Sequence, residues 1–147
     1  MLHAERQAEM TWEGNLVQGN GKVNLGSRAV VELPMTWAAR TVRSDGKTSP
    51  EELIAAAHAG CYAMALALTL AEAGKQPERV QVTAVCMLEE VAGKPRITQV
   101  GLTVRGKVPG LGAAAFEQAA RQAEQLCPVS NAFRNNVVIQ LNAHLES

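Results

Sequence analysis

The sequence contains few aromatic residues and no excess of either charge. Aromatic side chains make up 3% of the chain, so there are few surfaces on which nucleic-acid bases could stack. The 14 basic residues are balanced by 14 acidic ones, and no cluster of Lys or Arg stands out. We therefore expect neither a nucleic-acid partner nor an anionic membrane surface as a partner.

Cysteine is also scarce, with three widely spaced residues at positions 61, 86 and 127. The first nine residues, MLHAERQAE, are polar and charged, which argues against a signal peptide and predicts a cytoplasmic protein. An odd number of cysteines in that compartment favours free or catalytic thiols over a disulfide framework. The length of 147 residues, with no repeat or linker, predicts one domain over residues 1–147.

The longest apolar run extends from Thr48 to Gly74 and predicts a central helix. Ser49 can act as its N-cap, Pro50 suits the first helical position, and Glu52 completes a capping box. Gly74 can adopt the left-handed conformation that ends a helix. Because this segment is apolar on nearly every face, we expect it to be buried all round.

A membrane span is the rival interpretation of this segment. It is disfavoured because the run is rich in alanine, contains His58 and Thr69, and lies in the middle of a chain with amphipathic strands. The helix would be nearly 40 Å long, at about 1.5 Å per residue, which is more than one small domain can easily surround. A homodimer, in which two such helices pack with their alanine faces in contact, would bury it.

The remaining pattern predicts an α+β fold with a mainly antiparallel sheet, in the order βββ-α-ββ-α-β. We predict strands at residues 8–13, 21–25, 28–33, 80–91, 97–108 and 136–145. Pro34 should end the third strand, and an irregular loop with Arg40 and Arg43 should follow over residues 35–47. An amphipathic helix is predicted over residues 113–126, and a short helix over residues 129–133 should begin at Pro128, with Cys127 as its N-cap.

Two of the cysteines are candidates for redox chemistry. Burial in the helix would raise the pKa of Cys61, so this thiol needs a cation such as Arg40 or Arg43, held by a carboxylate from the helix start. Cys127 would lie at a helix N-cap, in a loop mobile enough to reach another sulfur. The pair suggests an attacking and a resolving thiol, although a small apolar cysteine in a helix is more often a core residue.

The other candidate groups have simpler interpretations. Cys86 lies on the inward face of a predicted strand and is expected to pack there. His58 precedes Cys61 by three positions, which could form half of a metal site, with Cys127, His144 or His3 as distant ligands. No paired-ligand motif supports this, and a core histidine with satisfied hydrogen bonds is favoured.

Two segments resemble the signature of a known family. These are PEELIAAAHAGC at residues 50–61, followed by YAMAL, and CPVS at residues 127–130. They resemble the OsmC/Ohr family of thiol-dependent peroxidases, and the amino-acid sequence of the first segment is more similar to the OsmC branch. The similar order of strands and helices extends the resemblance over essentially the whole chain.

The resemblance implies a reductase of organic hydroperoxides and, less well, of hydrogen peroxide. In this family the residue matching Cys61 forms a sulfenic acid, and the one matching Cys127 condenses with it to a disulfide. An external dithiol, often a lipoylated protein, then reduces the disulfide. A glutamate matching Glu51 and a loop arginine, for which we choose Arg40 over Arg43, complete the family site. The family forms an intertwined homodimer with its sites at the interface.

Helix geometry constrains this arrangement. Glu51 and Cys61 are about 15 Å apart in rise along an unbroken helix, so they cannot meet directly. Either the helix breaks near Gly60, or the Arg–Glu pair reaches Cys61 from the partner subunit or through the length of the arginine. We predict that at least one element of each site is donated across the dimer.

The last predictions concern the substrate pocket and the alternative functions. The alkyl part of a hydroperoxide would occupy an apolar pocket lined by the helix and by Met35, Trp37 and Phe133, and no redox cofactor or metal is required. One rival hypothesis is a non-catalytic cysteine redox or metal sensor on the same fold. Another is a structural dimer that binds an apolar ligand beside an inert Cys61.

Overall fold

A computed structural model describes all 147 residues and contains six strands and four helices. The elements in chain order are β1 (Ala8–Glu13), β2 (Asn20–Leu25), β3 (Leu33–Met35), α1 (Trp37–Thr41), α2 (Pro50–Glu72), β4 (Arg79–Val91), β5 (Lys94–Lys107), α3 (Ala113–Leu126), α4 (Pro128–Phe133) and β6 (Val138–Leu145). The predicted helices and five of the six predicted strands are found, most of them within two residues of the predicted ends.

The strands form two separate three-stranded sheets. The first has the order β1-β2-β3 and is antiparallel throughout. In the second, β4 pairs antiparallel with β5, and β6 joins the other side of β5 in parallel. The prediction of an α+β fold with mainly antiparallel pairing is therefore confirmed. The chain divides into two compact units, Met1–Leu53 and Ile54–Ser147, each of which contains one sheet.

The prediction of a third strand at residues 28–33 is wrong. Arg28 and Glu32 both adopt positive φ angles, of 61° and 56°, which are incompatible with a strand. The strand β3 begins only at Leu33, and Pro34 lies inside it rather than ending it. Proline is tolerated there because β3 is the edge strand of its sheet. Its outer side makes only an isolated bridge between Met35 and Thr48, in which the carbonyl of Pro34 accepts from the N–H of Thr48 at 2.8 Å.

The predicted loop before the long helix contains a short helix, α1. The side chain of Thr36 accepts a hydrogen bond from the backbone N–H of Ala39 at 3.1 Å and so caps its start. A threonine directly before a short run with good helix formers, Ala38, Ala39 and Arg40, was the signal for this helix in the sequence. Arg40 lies in its last turn, so the arginine is attached to a helix and not to an irregular segment.

The ends of α2 agree with the predicted signals. The hydroxyl of Ser49 accepts from the backbone N–H of Glu52 at 3.1 Å, as an N-cap does. The carboxylate of Glu52 accepts from the hydroxyl of Thr48 at 2.8 Å, so only half of the predicted capping box forms. At the other end, Gly74 has a φ of 71°, and the N–H of Lys75 donates to the carbonyl of Leu70 at 2.8 Å.

The single chain buries only one side of α2, so burial all round, as expected from the sequence, would require a partner such as the second subunit of a homodimer. Tyr62, Leu66 and Leu70 are fully buried, but Met64 and Leu68 on another face are 71% and 56% exposed. By length and composition α2 could also cross a membrane, although its buried face packs into a protein core. One side of this apolar helix is thus covered by its own chain and the other is not.

The core of the C-terminal unit lies between its sheet and its helices. Val100, Leu102 and Val104 of β5 point inward and are fully buried. Cys86 lies on the half-buried side of β4 and packs against this core, which agrees with its interpretation as a packing residue. The buried residues that form the core are Tyr62, Leu66, Leu70, Val100, Leu102, Val104, Val108, Phe116, Ala120, Ala123, Cys127 and Val137.

Candidate active site

A forked ion pair joins α1 to the first turn of α2. The Nε of Arg40 donates to the two carboxylate oxygens of Glu51 at 3.0 and 3.2 Å, and its Nη2 donates to Oε1 at 2.7 Å. Glu51 is only 6% exposed. Moving a carboxylate from water to a buried position costs free energy unless hydrogen bonds compensate for the lost hydration. The guanidinium of Arg40 supplies three hydrogen bonds in one plane to Glu51.

The structure distinguishes the two arginines of this region. Arg43 pairs with Asp45, with 2.9 Å between Nε and Oδ1, and most of its side chain is in solvent. The guanidinium of Arg40 also lies 5.8 Å from the ring centroid of Trp37, within the range of a cation–π contact. Arg40 is therefore the arginine that Glu51 holds, and Trp37 contacts it from a second side.

An apolar cavity of about 280 Å³ lies beside Arg40 in the N-terminal unit. Met35 and Trp37, two of the three predicted pocket residues, line it together with Arg40. Phe133 is not part of this lining. It lies in the C-terminal unit, half-buried, with its ring in edge contact with that of His58 at 5.7 Å between centroids.

The second group of candidate residues is a pair of thiols in the C-terminal unit. Cys61 of α2 shares a side-chain hydrogen bond with Cys127, which lies immediately before α4. Both cysteines are free thiols. The sequence separates these two sulfurs by most of the C-terminal unit, and the fold brings them into contact.

Three effects act on the pKa of the Cys61 thiol. Burial raises the pKa most, as expected for a thiolate in apolar surroundings, and the contact with Cys127 raises it further. The backbone N–H of Val129, in the first turn of α4, hydrogen-bonds to this sulfur and lowers the pKa. The start of α4 thus donates to Cys61, an interaction that the sequence did not suggest.

Cys127 is more enclosed than its predicted loop position suggested. Cys127 does occupy the N-cap of α4, as predicted, but its side chain is fully buried and makes no capping hydrogen bond. Pro128 follows at the first helical position, and the N–H of Asn131 donates to the carbonyl of Cys127 at 3.0 Å. Because the two side chains already share a hydrogen bond, a disulfide between them requires no long movement of Cys127.

A buried histidine lies one helical turn before Cys61. The Nε2 of His58 and the hydroxyl of Ser130 are 2.7 Å apart, and both residues are fully buried. The Nδ1 of His58 is buried without a partner. Burial lowers the pKa of His58, which the charge of Glu124 opposes, so the neutral ring is favoured. The prediction of a core histidine with satisfied hydrogen bonds is therefore confirmed at Nε2 and wrong at Nδ1, and the sequence did not point to Ser130 as the partner.

Helix α2 is continuous from Pro50 to Glu72, so no break occurs at Gly60. Of the routes considered for bringing Arg40 and Glu51 to Cys61, the one that required a broken helix is therefore excluded. The ion pair lies in the N-terminal unit and the thiol pair in the C-terminal unit.

Two adjoining free thiols, one half-exposed and one buried, define an α+β protein equipped for dithiol chemistry. The family model described as OsmC-like protein matches residues 43–142. The chain belongs to the OsmC-like protein family. Peroxiredoxin OsmC of Escherichia coli (strain K12) is 36% identical over 138 residues, which cover 94% of each chain. The organic hydroperoxide resistance protein OhrA of Bacillus subtilis (strain 168) is 30% identical over 123 residues, covering 82% of this chain and 85% of OhrA.

Solved structures with similar folds agree with this assignment. An organic hydroperoxide resistance protein from Elizabethkingia anophelis superposes with a TM-score of 0.77 at 23% identity, covering 99% of this chain and 100% of the other. An organic hydroperoxide resistance protein OsmC from Legionella pneumophila superposes with a TM-score of 0.72 at 24% identity, covering 97% and 99%. At these identities the likeness establishes the fold.

Proposed function

We propose that this chain is a cytoplasmic, homodimeric thiol peroxidase that reduces organic hydroperoxides and, less well, hydrogen peroxide. The observation that carries the proposal is the contact between the thiols of Cys61 and Cys127 in a member of the OsmC-like family. The names of its relatives, peroxiredoxin OsmC and organic hydroperoxide resistance protein, support the same activity.

The proposed reaction has three steps. The thiolate of Cys61 attacks the distal oxygen of the hydroperoxide, the O–O bond breaks, and the alcohol leaves after it takes up a proton. Cys61 is then a sulfenic acid. The sulfur of Cys127 attacks it, an S–S bond forms, and the hydroxyl group leaves as water with the proton of Cys127. An external dithiol, such as a lipoylated protein, reduces the disulfide by thiol–disulfide exchange and becomes oxidised itself.

In this proposal Arg40 opposes the effect of burial on Cys61. Its positive charge stabilises the thiolate, and its N–H groups can orient the hydroperoxide for attack along the O–O bond. Glu51 keeps the guanidinium in one orientation, as their three hydrogen bonds indicate. The apolar cavity beside Arg40, with Met35 and Trp37, suits an alkyl group. Because α2 is unbroken, two routes remain, the partner subunit and the length of the arginine. Of these we propose that the pair acts across the dimer, on the thiol of the partner subunit.

The exposed side of α2 supports a dimer. Six exposed residues repeat at helical spacing along one face and form what we call the α2 stripe: Ala57, Gly60, Met64, Ala67, Leu68 and Ala71. A stripe of small and apolar side chains without charge is the pattern that allows close packing of a second helix. We propose that the α2 stripes of two subunits pack together in the homodimer.

The test of the activity is a count of thiols in the reduced protein after reaction with cumene or tert-butyl hydroperoxide. We expect two thiols to be lost per chain. Cys61→Ser should abolish the loss, and Cys127→Ser should convert it to overoxidation of Cys61, because no second sulfur captures the sulfenic acid. Oxidation without turnover in the presence of an excess of dithiol would instead indicate a redox sensor. An unreactive Cys61 would contradict both functions.

The role of Arg40 is tested by a matched pair of substitutions. Arg40→Lys keeps the charge but removes the forked hydrogen bonds to Glu51, so we expect the rate of Cys61 oxidation to fall by about 10- to 100-fold. Arg43→Lys is the control, because Arg43 pairs with Asp45 at the surface and should leave the rate unchanged. Equal effects of the two substitutions would show that Arg40 has no special role.

A further inference from the structure

Helices α2 and α4 are joined by two sets of polar contacts, one turn apart on α2. At the first, the sulfur of Cys61 contacts Cys127 and the N–H of Val129. At the second, His58 and Ser130 share their buried hydrogen bond of 2.7 Å. Since His58 lies three residues before Cys61, and Ser130 directly follows Val129, the second contact sets the position of the residues that form the first.

The other polar contacts of α4 reach α3 and not α2. The side chain of Asn131 donates to the carbonyl of Gln125 at 3.1 Å. Arg134, the C-cap of α4, forms an ion pair with Glu124 at 2.8 Å. A six-residue helix has too few hydrogen bonds of its own to keep its place. Val129 and Phe133 pack it against the core, and the hydrogen bond between Ser130 and His58 is the side-chain hydrogen bond that fixes it against α2.

Packing alone does not explain a histidine at position 58. Its ring is fully buried, and its Nδ1 has no hydrogen-bond partner, which is unfavourable for a polar atom. An aliphatic side chain of similar size would avoid this cost. The property that the imidazole adds is the hydrogen bond from its Nε2 position to Ser130.

We propose that His58 is a positioning residue that, through Ser130, holds α4 where the N–H of Val129 and the thiol of Cys127 both meet Cys61. This inference rests on the proposed function for its catalytic consequence. After a hydroperoxide has oxidised Cys61, the position of α4 governs how fast the sulfur of Cys127 attacks the sulfenic acid. The S–S bond forms, the S–O bond breaks, and water leaves with the proton of Cys127.

Amide side chains at position 58 provide the test. In His58→Gln the amide can reach the Nε2 position and keep the hydrogen bond to Ser130, whereas in the shorter His58→Asn it lies near Nδ1 and cannot. Ser130→Ala removes the same hydrogen bond from the other side. Asn131→Ala is the control, since it removes a hydrogen bond from α4 to α3.

The main readout is the rate at which the dimedone-reactive sulfenic acid disappears after one equivalent of cumene hydroperoxide. We expect His58→Asn and Ser130→Ala to slow this step about fivefold, as the loss of one hydrogen bond implies, and to increase the sulfinic product. His58→Gln should restore most of the rate, and Asn131→Ala should not change it. Parental rates in His58→Asn and Ser130→Ala, or an equal loss in Asn131→Ala, would overturn the proposal.

A second readout does not depend on peroxidase activity. Diamide oxidises adjoining thiols to a disulfide: one thiolate adds to its N=N bond, the second sulfur displaces the adduct, and the hydrazine leaves. We expect the same order in the rate of Cys61–Cys127 disulfide formation by diamide: His58→Asn and Ser130→Ala slow, and His58→Gln and Asn131→Ala near the parental rate. If hydroperoxide fails to react while this order holds, the proposed function is wrong and the positioning role stands; if the order fails, the positioning role is wrong.

Discussion

The strongest test of the proposed assembly is to place a charge in the α2 stripe. Met64 is 71% exposed in the single chain and would be buried in the dimer. Full burial of such a side chain is worth about 1.5–3 kcal/mol, so this fraction contributes about 1–2 kcal/mol. A two-fold symmetric interface contains the residue twice, which gives about 2–4 kcal/mol. In Met64→Glu this contribution is lost, and two carboxylates must also leave water.

We therefore expect Met64→Glu to raise the dissociation constant of the dimer at least about 100-fold. Sedimentation equilibrium over a range of protein concentrations measures this constant directly. Peroxidase activity should fall in parallel, because we propose that each site takes residues from both subunits. Ala115→Glu, which adds the same charge on an exposed face of α3, should change neither quantity. A dimer of unchanged affinity in Met64→Glu would refute the reasoning, as would a parent chain that sediments as a monomer.

Three further predictions concern single groups in the C-terminal unit. Tyr62→Phe removes a buried hydroxyl that donates to the carbonyl of Ala120 at 3.0 Å, so the free energy of unfolding measured in urea should fall by about 1 kcal/mol; no change would contradict this. Burial lowers the pKa of His58 below its ordinary value of 6.5, so the unfolded chain binds more protons, and stability should fall as the pH drops below about 6.5, by up to about 1.4 kcal/mol per pH unit. His58→Gln should lack this component in urea titrations at several pH values, and identical pH profiles would refute it. Contact with Cys127 raises the pKa of Cys61, so Cys127→Ala should move the midpoint of the pH profile for iodoacetamide alkylation of Cys61 downward; an upward shift would be the contrary result.

The parts of the fold that local signals determine could be predicted from the sequence. The ends of α2 follow from Ser49, Pro50 and Gly74, and α3 follows from an apolar repeat that ends at Pro128. The third strand could not be placed, because the positive φ angles of Arg28 and Glu32 depend on turn geometry that neither residue type favours.

Features that depend on contacts between distant segments could not be predicted from local sequence signals. The burial of Cys127 and its contact with Cys61 require the whole C-terminal unit to fold. Arg40 was chosen over Arg43 alongside the family resemblance, but the physical reason for its pairing with Glu51, its position on helix α1, was missed because the prediction treated this segment as part of a loop. A serine at position 130 gives no sequence signal of a buried contact, and only the structure shows its hydrogen bond with His58.

In the proposed cycle, the unequal exposure of the two sulfurs would give the recycling step a direction. In the single chain Cys61 is half-buried and Cys127 is fully buried, so a reductant that enters the site would meet the sulfur of Cys61 first. The mixed disulfide with the reductant should therefore form on Cys61, and Cys127 should be the leaving group. The regiochemistry of regeneration thus follows from which sulfur the protein covers, whatever dithiol supplies the electrons.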